Sequence, residues 1–206
     1  MMLRNTLIRP DLQLVADMIE DGARVLDVGC GDGALLEYLK RQKRAVGRGI
    51  ELSQAGVNAC VGRGLSVVQG DADKDLSDYP TAAFDYAILS QTLQATEDPK
   101  GVLTELSRIA RHAIVSFPNF GHWRVRWSVA MRGRMPVTPA LAYQWWETPN
   151  IHLCSIRDFL ALAETLGVAI VEGLALDVNG RPLPSRVTSR WANLVATQAI
   201  FKLRRG

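Results

Sequence analysis

The chain has 206 residues, is 48% hydrophobic and carries a formal net charge of +3. That length and apolar content suffice for a single domain with a full core, the charge is too small to imply a nucleic-acid partner by itself, and no apolar run approaches a membrane span. Cysteines 30, 60 and 154 are scattered and lack Cys-x-x-Cys spacing, which speaks for reduced thiols in a cytoplasm and against a disulfide framework or a zinc site.

Residues 10–20 place Leu12, Val15 and Ile19 on one helical stripe with Met18 beside it; Pro10 suits the first turn and Gly22 ends the helix. Acids at 11, 17, 20 and 21, without a long apolar run, exclude a signal peptide. A buried parallel strand follows over 24–28, and it runs directly into Gly29, Gly31 and Gly33 before a helix that starts near Ala34 and buries Leu35, Leu36 and Leu39. Strand, glycine turn and helix form a nucleotide-site signature, because the first amides of such a helix face the crevice beyond the strand's C-terminal end. A Walker-type phosphate loop is excluded, since no Gly-Lys-Ser/Thr follows Gly33. Two readings survive at this point: Gly29-x-Gly31-x-x-Ala34 as a dinucleotide fingerprint, and Asp27-x-Gly29-x-Gly31-x-Gly33, which resembles motif I of class I S-adenosylmethionine (SAM) methyltransferases.

The second strand is expected over 45–50, closed by Glu51, a carboxylate placed to accept from ribose hydroxyls in either reading. Ser53 caps a helix carrying Val57, Cys60 and Val61, and a third strand over 65–69 ends at Gly70 and Asp71. An acid there can accept from an adenine amine. The spacing of Asp27, Glu51 and Asp71, at or near the ends of three successive strands, is similar to SAM recognition, and none of the four tyrosines has the Lys four residues on that a short-chain dehydrogenase needs.

The fourth strand is expected over 84–90. Many small-molecule methyltransferases that this pattern resembles carry Leu-Glu-His beyond it, whereas this chain has Leu93-Gln94-Ala95, so no general base is evident at that place. Asp98 and Pro99 open a helix with the stripe Val102, Leu103, Leu106, Ile109 and Ala110, and a fifth strand is expected over 113–117. The alternation then breaks. Residues 119–146 contain no acid but interleave Arg124, Arg126, Arg132 and Arg134 with Trp123, Trp127, Met131, Tyr143, Trp145 and Trp146. Three readings compete for this stretch: a lid packed over the crevice, a surface for a protein partner, or a basic aromatic face for nucleic acid or membrane. His122 lies just past the fifth strand, where an acceptor would enter; His112 and His152 carry no such expectation, and no pair of histidines has metal-ligand spacing. A capping box at Ser155 and Asp158 opens a helix ended by Gly167, a sixth strand is expected over 169–176, and 194–203 can return as a final antiparallel strand.

The predicted fold class is α/β: a doubly wound, seven-stranded, mostly parallel sheet whose last strand is antiparallel, as in class I methyltransferases. Residues 1–206 are read as one SAM-binding domain with a basic aromatic lid or partner-binding insertion at about 118–150.

The motifs at 25–33, Gly-Ile-Glu-Leu-Ser at 49–53, Gln-Gly-Asp-Ala-Asp at 69–73, Leu-Ser-Gln-Thr-Leu-Gln-Ala-Thr at 89–96, Ser-Phe-Pro-Asn-Phe-Gly-His-Trp-Arg-Val-Arg at 116–126 and Thr-Pro-Asn-Ile-His at 148–152 together resemble the MetW family of methionine-biosynthesis proteins over nearly the whole chain. The resemblance implies a cytoplasmic accessory protein that binds SAM or S-adenosylhomocysteine and partners a MetX-type homoserine O-acyltransferase, with neither membrane nor nucleic acid expected as partner. It also implies a ligand set: Gly29 and Gly31 beside the methionine portion with Asp27 nearby through water, Glu51 on the ribose, Asp71 with Ala72 on the adenine, and Cys30, Gly33, Leu52, Ser90 and Gln91 completing the site. A methyltransferase acting on a small metabolite is the alternative, and positioning alone can carry methyl transfer to a good nucleophile.

Overall fold

The computed structural model describes residues 8–139 and 141–205. Seven strands form one sheet in the order β3-β2-β1-β4-β5-β7-β6. The parallel part comprises β1 (Arg24–Val28), β2 (Val46–Glu51), β3 (Val67–Gln69), β4 (Phe84–Ser90) and β5 (Ala110–Pro118), and β7 (Gln198–Arg205) runs antiparallel between β5 and β6 (Val168–Leu176). Alternation along the central strands fills both faces. Leu26, Val28 and Leu89 join one buried cluster, whereas Val25, Ile88 and Ile114 join the other.

The crossover helices supply the covering layers. On one face, α1 (Pro10–Asp17) packs Val15 and Ala16 beside α2 (Ala34–Gln42), which contributes Leu35 and Leu39. On the other, α4 (Pro99–Ile109) and α6 (Ile156–Thr165) bury Leu106 and Phe159, and Phe159 stacks on Phe201 with centroids 4.7 Å apart. The helix α3 (Gln54–Gly62) is capped by Ser53, whose hydroxyl accepts from the Gly56 amide. Among the described residues no helix is long and apolar enough to cross a membrane.

Several predicted boundaries shift. The first helix ends at Asp17 rather than at Gly22, although Met18 and Ile19 remain buried in the turn that follows. The third strand is shortened to Val67–Gln69. The fifth starts at Ala110, because the chain passes from α4 into the strand without a loop. Leu194 and Val195 lie in a short helix, α7 (Arg190–Val195), and the last strand begins only at Gln198. There Ser189 caps the helix by accepting from the Ala192 amide, a local device that the apolar run at 194–203 hid.

The segment beyond β5 is folded by polar groups. Asn119 is buried; its amide donates to the carbonyls of Asn193 and Ala196, and its oxygen accepts from the Gly121 and Ile156 amides. One side chain thus ties the end of β5 to the start of α6 and the C-terminal end of α7. The short helix α5 (Trp123–Trp127) follows, continues as a π-helical turn (Ser128–Arg132), and stops at Gly133 in the left-handed region. A second tie is Gln94, also buried, whose side-chain amide donates to the Pro118 carbonyl at 3.0 Å while its backbone carbonyl accepts from the Ile151 and His152 amides.

Replacing Asn119 by Ala leaves buried amides and carbonyls unpaired, so Asn119→Ala should destabilise the fold by about 2–4 kcal/mol, summing one to two orphaned groups. Urea denaturation followed by far-ultraviolet circular dichroism checks this, and an unchanged midpoint would show the tie to be dispensable.

Candidate functional site

The C-terminal ends of β1, β2, β3 and β4 open on a common crevice, as parallel α/β sheets require. Its floor is the glycine turn. Gly29, Gly31 and Gly33 all have positive φ, at 72°, 56° and 78°, so any other residue there is strained. Space adds a second requirement at Gly29, where a Cβ would lie 2.6 Å from the Thr92 hydroxyl. At Gly31 the opposite holds: a Cβ would meet nothing within 4 Å, and this bare backbone faces open space.

Glu51 latches this turn to β2. One carboxylate oxygen accepts from the Gly31 amide at 2.8 Å, and the other accepts from the Ser53 amide and hydroxyl at 2.9 and 2.8 Å. The Gly29 amide donates to the Ile50 carbonyl. Both turn amides are therefore committed within the protein, and what the turn offers a ligand is close approach rather than donors. Glu51 retains acceptor capacity, since each carboxylate oxygen has two lone pairs.

Beside Glu51, Leu52 is 67% exposed although apolar, and it forms a flat greasy edge at the end of β2. Asp71 sits across from it at the end of β3. Its carboxylate accepts from the Asp73 amide and pairs with Lys74 at 2.8 Å, which holds it below the usual carboxylate range, with the Lys74 hydrogen bond the larger cause. Ala72 packs against the core. The neighbouring Asp73, in contrast, accepts from the amides of Glu97 and Asp98 and anchors the start of α4.

At the end of β4, the Ser90 and Ser116 hydroxyls share a hydrogen bond of 3.1 Å, and the Gln91 amide donates to Ser116. Gln91 is held at φ 61°, unusual for a side chain, and its Nε2 is buried without a hydrogen-bond partner among the described residues. Thr92 and Ser116 were not among the expected site residues. Each is an ordinary hydroxyl in the sequence, and only the pairing of β4 with β5 brings Ser116 to the crevice.

Gln91 also lines a cavity of about 800 Å³. Pro118 and Phe120 form its base, Met135, Leu141 and Trp145 come from the insertion, and Asn179 and Gln198 close the far side. Its titratable lining among the described residues is Arg9, Asp11 and Tyr143, and Arg9 and Asp11 are paired at 2.9 Å. His122 does not reach this cavity. It caps α5, its Nδ1 accepting from the Arg124 amide, and burial followed by the Arg124 charge lowers its pKa. The Leu93-Gln94-Ala95 turn likewise carries a structural clamp where a base was sought.

The three thiols are free, and Cys30 lies 3.9 Å from Cys60 beneath the glycine turn. Burial pushes both thiols up, as it does Cys154 to about 11, so none is a nucleophile at neutral pH. No group of residues that could hold a metal ion occurs among the described residues.

Asp27 is buried at the end of β1, and loss of solvation, reinforced by the charge of Glu51, raises its carboxyl to about 7. The unfolded chain ionises Asp near pH ~4, so between there and pH ~7 the folded protein holds a proton that the unfolded chain has released. Stability from protonated Asp27 is full below that window and is lost as the pH rises through it. Relative to Asp27→Asn, the native protein should lose on the order of 3 kcal/mol between pH 4 and pH 8. Urea melts of both proteins at the two pH values measure the difference, and parallel profiles would mean that Asp27 titrates alike in both states.

With this geometry in place, comparison with known proteins places the chain. The family model described as "Methionine biosynthesis protein MetW" matches residues 9–203. The Bifunctional methionine biosynthesis protein MetXA/MetW of Rhodopirellula baltica is 35% identical over 178 residues, 82% of this chain and 29% of that protein. The Fatty-acid O-methyltransferase of Mycolicibacterium smegmatis is 38% identical over 96 residues, 44% of this chain and 34% of that protein. The chain thus spans 29% and 34% of the length of these curated relatives. Among solved structures, an S-adenosylmethionine dependent methyltransferase from Mesorhizobium loti superposes with a TM-score of 0.69 at 17% identity, covering 95% of this chain and 98% of that one, which shows the fold. A class I methyltransferase sheet and a family match over nearly the whole length lead to one conclusion: the chain belongs to the MetW family of methionine biosynthesis proteins.

Proposed function

We propose that this protein is a SAM-binding accessory and regulatory subunit of a MetX-type homoserine O-acyltransferase. The observation that carries this reading is the side-chain content of the sheet edge: Ala95 stands where the histidine of a methyltransferase Leu-Glu-His turn would be, and the amide of Gln94 beside it is spent on the Pro118 carbonyl and on Cys154. The cavity alongside offers only a paired Arg9 and Asp11 and a tyrosine as titratable lining among the described residues. Support for the partner comes from the Rhodopirellula baltica relative, whose name joins MetXA and MetW in one bifunctional protein.

The crevice suits an adenosyl ligand on its own chemistry. Gly31 leaves bare backbone facing open space for close approach, Leu52 offers an exposed apolar edge to a base, and Glu51 and Asp71 present acceptors on either side of it. In this reading Glu51 takes the ribose hydroxyls, Asp71 and Ala72 the adenine edge, and Gly29, Gly31, Ser90 and Gln91 flank the methionine portion, with Asp27, Cys30 and Gly33 supporting the turn beneath. When bound, SAM would supply an electrophilic methyl group; the residues of this chain bind and orient it, and among the described residues that line the cavity no histidine stands ready to take a proton from an acceptor. Regulation then requires that SAM or S-adenosylhomocysteine bind the free and the associated forms with different affinity.

A second reading is favoured by the cavity itself. Its size and apolar lining suit an aliphatic acceptor, and an acceptor that is already anionic at neutral pH, such as a carboxylate, needs no base. The Mycolicibacterium smegmatis relative is named for O-methylation of fatty acids.

Homoserine acylation by the acyltransferase of the same organism, assayed with and without this chain across SAM concentrations, tests the accessory role. Activity that depends on the chain is expected; activity indifferent to it at every SAM concentration would overturn the role. Loss of the Glu51 carboxylate in Glu51→Ala should weaken SAM by about 1.5–3 kcal/mol, roughly tenfold to a hundredfold, in a calorimetric titration, and an unchanged affinity would remove that assignment. Incubation with methyl-labelled SAM and decanoate should leave no labelled ester; ester formation lost in Glu51→Ala would move the conclusion to the second reading.

A further inference from the structure

From Trp123 to Arg132 the chain is helical for ten residues in succession, first α and then π, yet Val125 is the only residue of this segment that is buried. A helix this short is not stable by propensity, and in folded proteins it is normally held by an apolar face against the core. Here it is held at its ends instead. His122 caps it, Arg126 Nε donates to the Gly121 carbonyl at 2.6 Å, and the Ser128 hydroxyl donates to the Arg134 carbonyl at 3.0 Å.

What the helix shows to the outside is apolar. Trp123, Trp127 and Met131 recur every four residues and so run along one side, and Trp127 and Met131 are 57% and 64% exposed. The charges within the segment are all positive, and the nearby Asp177, which lines a small cavity with Trp123 and Arg124, has its carboxylate engaged by the Asn179 and Arg181 amides. Arg124, stacked over Trp123 at 5.3 Å, and Arg132 and Arg134 are exposed, and no ion pair reaches them among the described residues. Trp and Arg are the residues that dominate binding energy at protein interfaces, and an apolar stripe inside a rim of charge is the anatomy of such a surface.

We propose that the helical segment 123–132 is the docking element for the acyltransferase, inserting Trp127 and Met131 into apolar recesses on a face whose carboxylates pair with Arg124, Arg132 and Arg134. This rests on the accessory reading above and names the surface through which it acts. Charge selects the occupant. Residues 119–146 contain no acid, so two copies of this chain meeting through the same patch would oppose unneutralised arginines, whereas an acid-bearing partner neutralises them. The bifunctional MetXA/MetW relative supports the choice of partner: two modules joined in one chain meet at a high effective concentration.

The test begins with the affinity of the unaltered protein for the acyltransferase of the same organism, by isothermal titration calorimetry. Absence of binding there overturns the accessory reading, and this surface with it. If the two bind, Trp127→Ala with Met131→Ala should weaken the complex at least about tenfold, and Arg124→Glu with Arg132→Glu should do so by a comparable factor that shrinks as salt is raised. Each altered residue is exposed, and unchanged thermal melting and SAM affinity establish that the variants are folded. Unaltered affinity in both double variants would overturn the surface while leaving the partnership standing. Phosphatidylglycerol vesicles and a single-stranded RNA serve as rival occupants: binding to either that depends on the same residues, with acyltransferase affinity unmoved, overturns the assignment as well.

Discussion

The C-terminal edge of the sheet depends on one constraint: the chain leaving β1 must enter the left-handed region at Gly29, Gly31 and Gly33 before α2 can start. Three such residues in a five-residue span would be unstable as a free turn, because glycine loses the most freedom on ordering. The fold fixes it from outside. Ile50 accepts the Gly29 amide, Glu51 accepts the Gly31 amide, and Thr92 fills the space next to Gly29. The last two residues of β2 and the loop after β4 thereby set the shape of the crevice floor. Glu51 is consequently both a wall of the crevice and the latch of its floor, and its charge adds to the burial that raises the pKa of Asp27. Structure and ligand chemistry are coupled through one side chain.

A second polar framework governs the other half of the molecule. Asn119 and Gln94 are buried amides, and between them they join β5, α6, α7 and the turn after β4 to the segment that carries α5 and the cavity wall. Apolar packing would allow that segment to slide. Amides with directional partners on several elements fix its register, at the cost of an unpartnered Gln94 oxygen among the described residues. Gly121 belongs to the same framework, since a Cβ there would lie within 3 Å of Asn193, Asn119 and Ser155. The run Asn119-Phe120-Gly121-His122 therefore reads physically as a fold-determining knot, and His122 as its final cap.

How much of this was legible beforehand follows from the range over which each signal acts. The glycine turn, the Ser53 cap, the Asp98-Pro99 start and the Ser155 capping box are written within four residues and were read correctly. So was the sheet, because buried parallel strands appear as apolar runs between helical periods. The ends of α1 and β5, the helix α7 and the hydroxyl of Ser116 were not legible, because tertiary partners set them. Leu194 and Val195 could extend a strand on composition alone, and only the pairing of Gln198 with Pro118 fixes where β7 begins. Acids at strand ends gave the candidate ligand set, but the engagement of Glu51 with the Gly31 amide depends on a contact between two strand ends twenty residues apart.

The two halves bear differently on function. The crevice half obeys a pattern that many nucleotide-binding chains share, and nothing in it distinguishes a catalyst from a sensor. The half built on Asn119 and Gln94 spends its buried amides on holding the insertion in place. Holding it has a consequence at the surface: the helix that begins at His122 is fixed by its ends, so its Trp123, Trp127 and Met131 side need not pack inward to be ordered. An apolar face that is rigid before association loses little further entropy when it is covered, which is the condition under which a few aromatic anchors suffice for affinity. A ligand in the crevice can reach that face through the chain itself, since Gln91 lines the cavity with Phe120, and Phe120 lies three residues before Trp123 in the segment that Asn119 holds. Coupling of a crevice ligand to a docked partner would require the ligand to alter the free-energy difference between free and docked states, and the segment 120–123 is the stretch of chain that joins the cavity wall to that face.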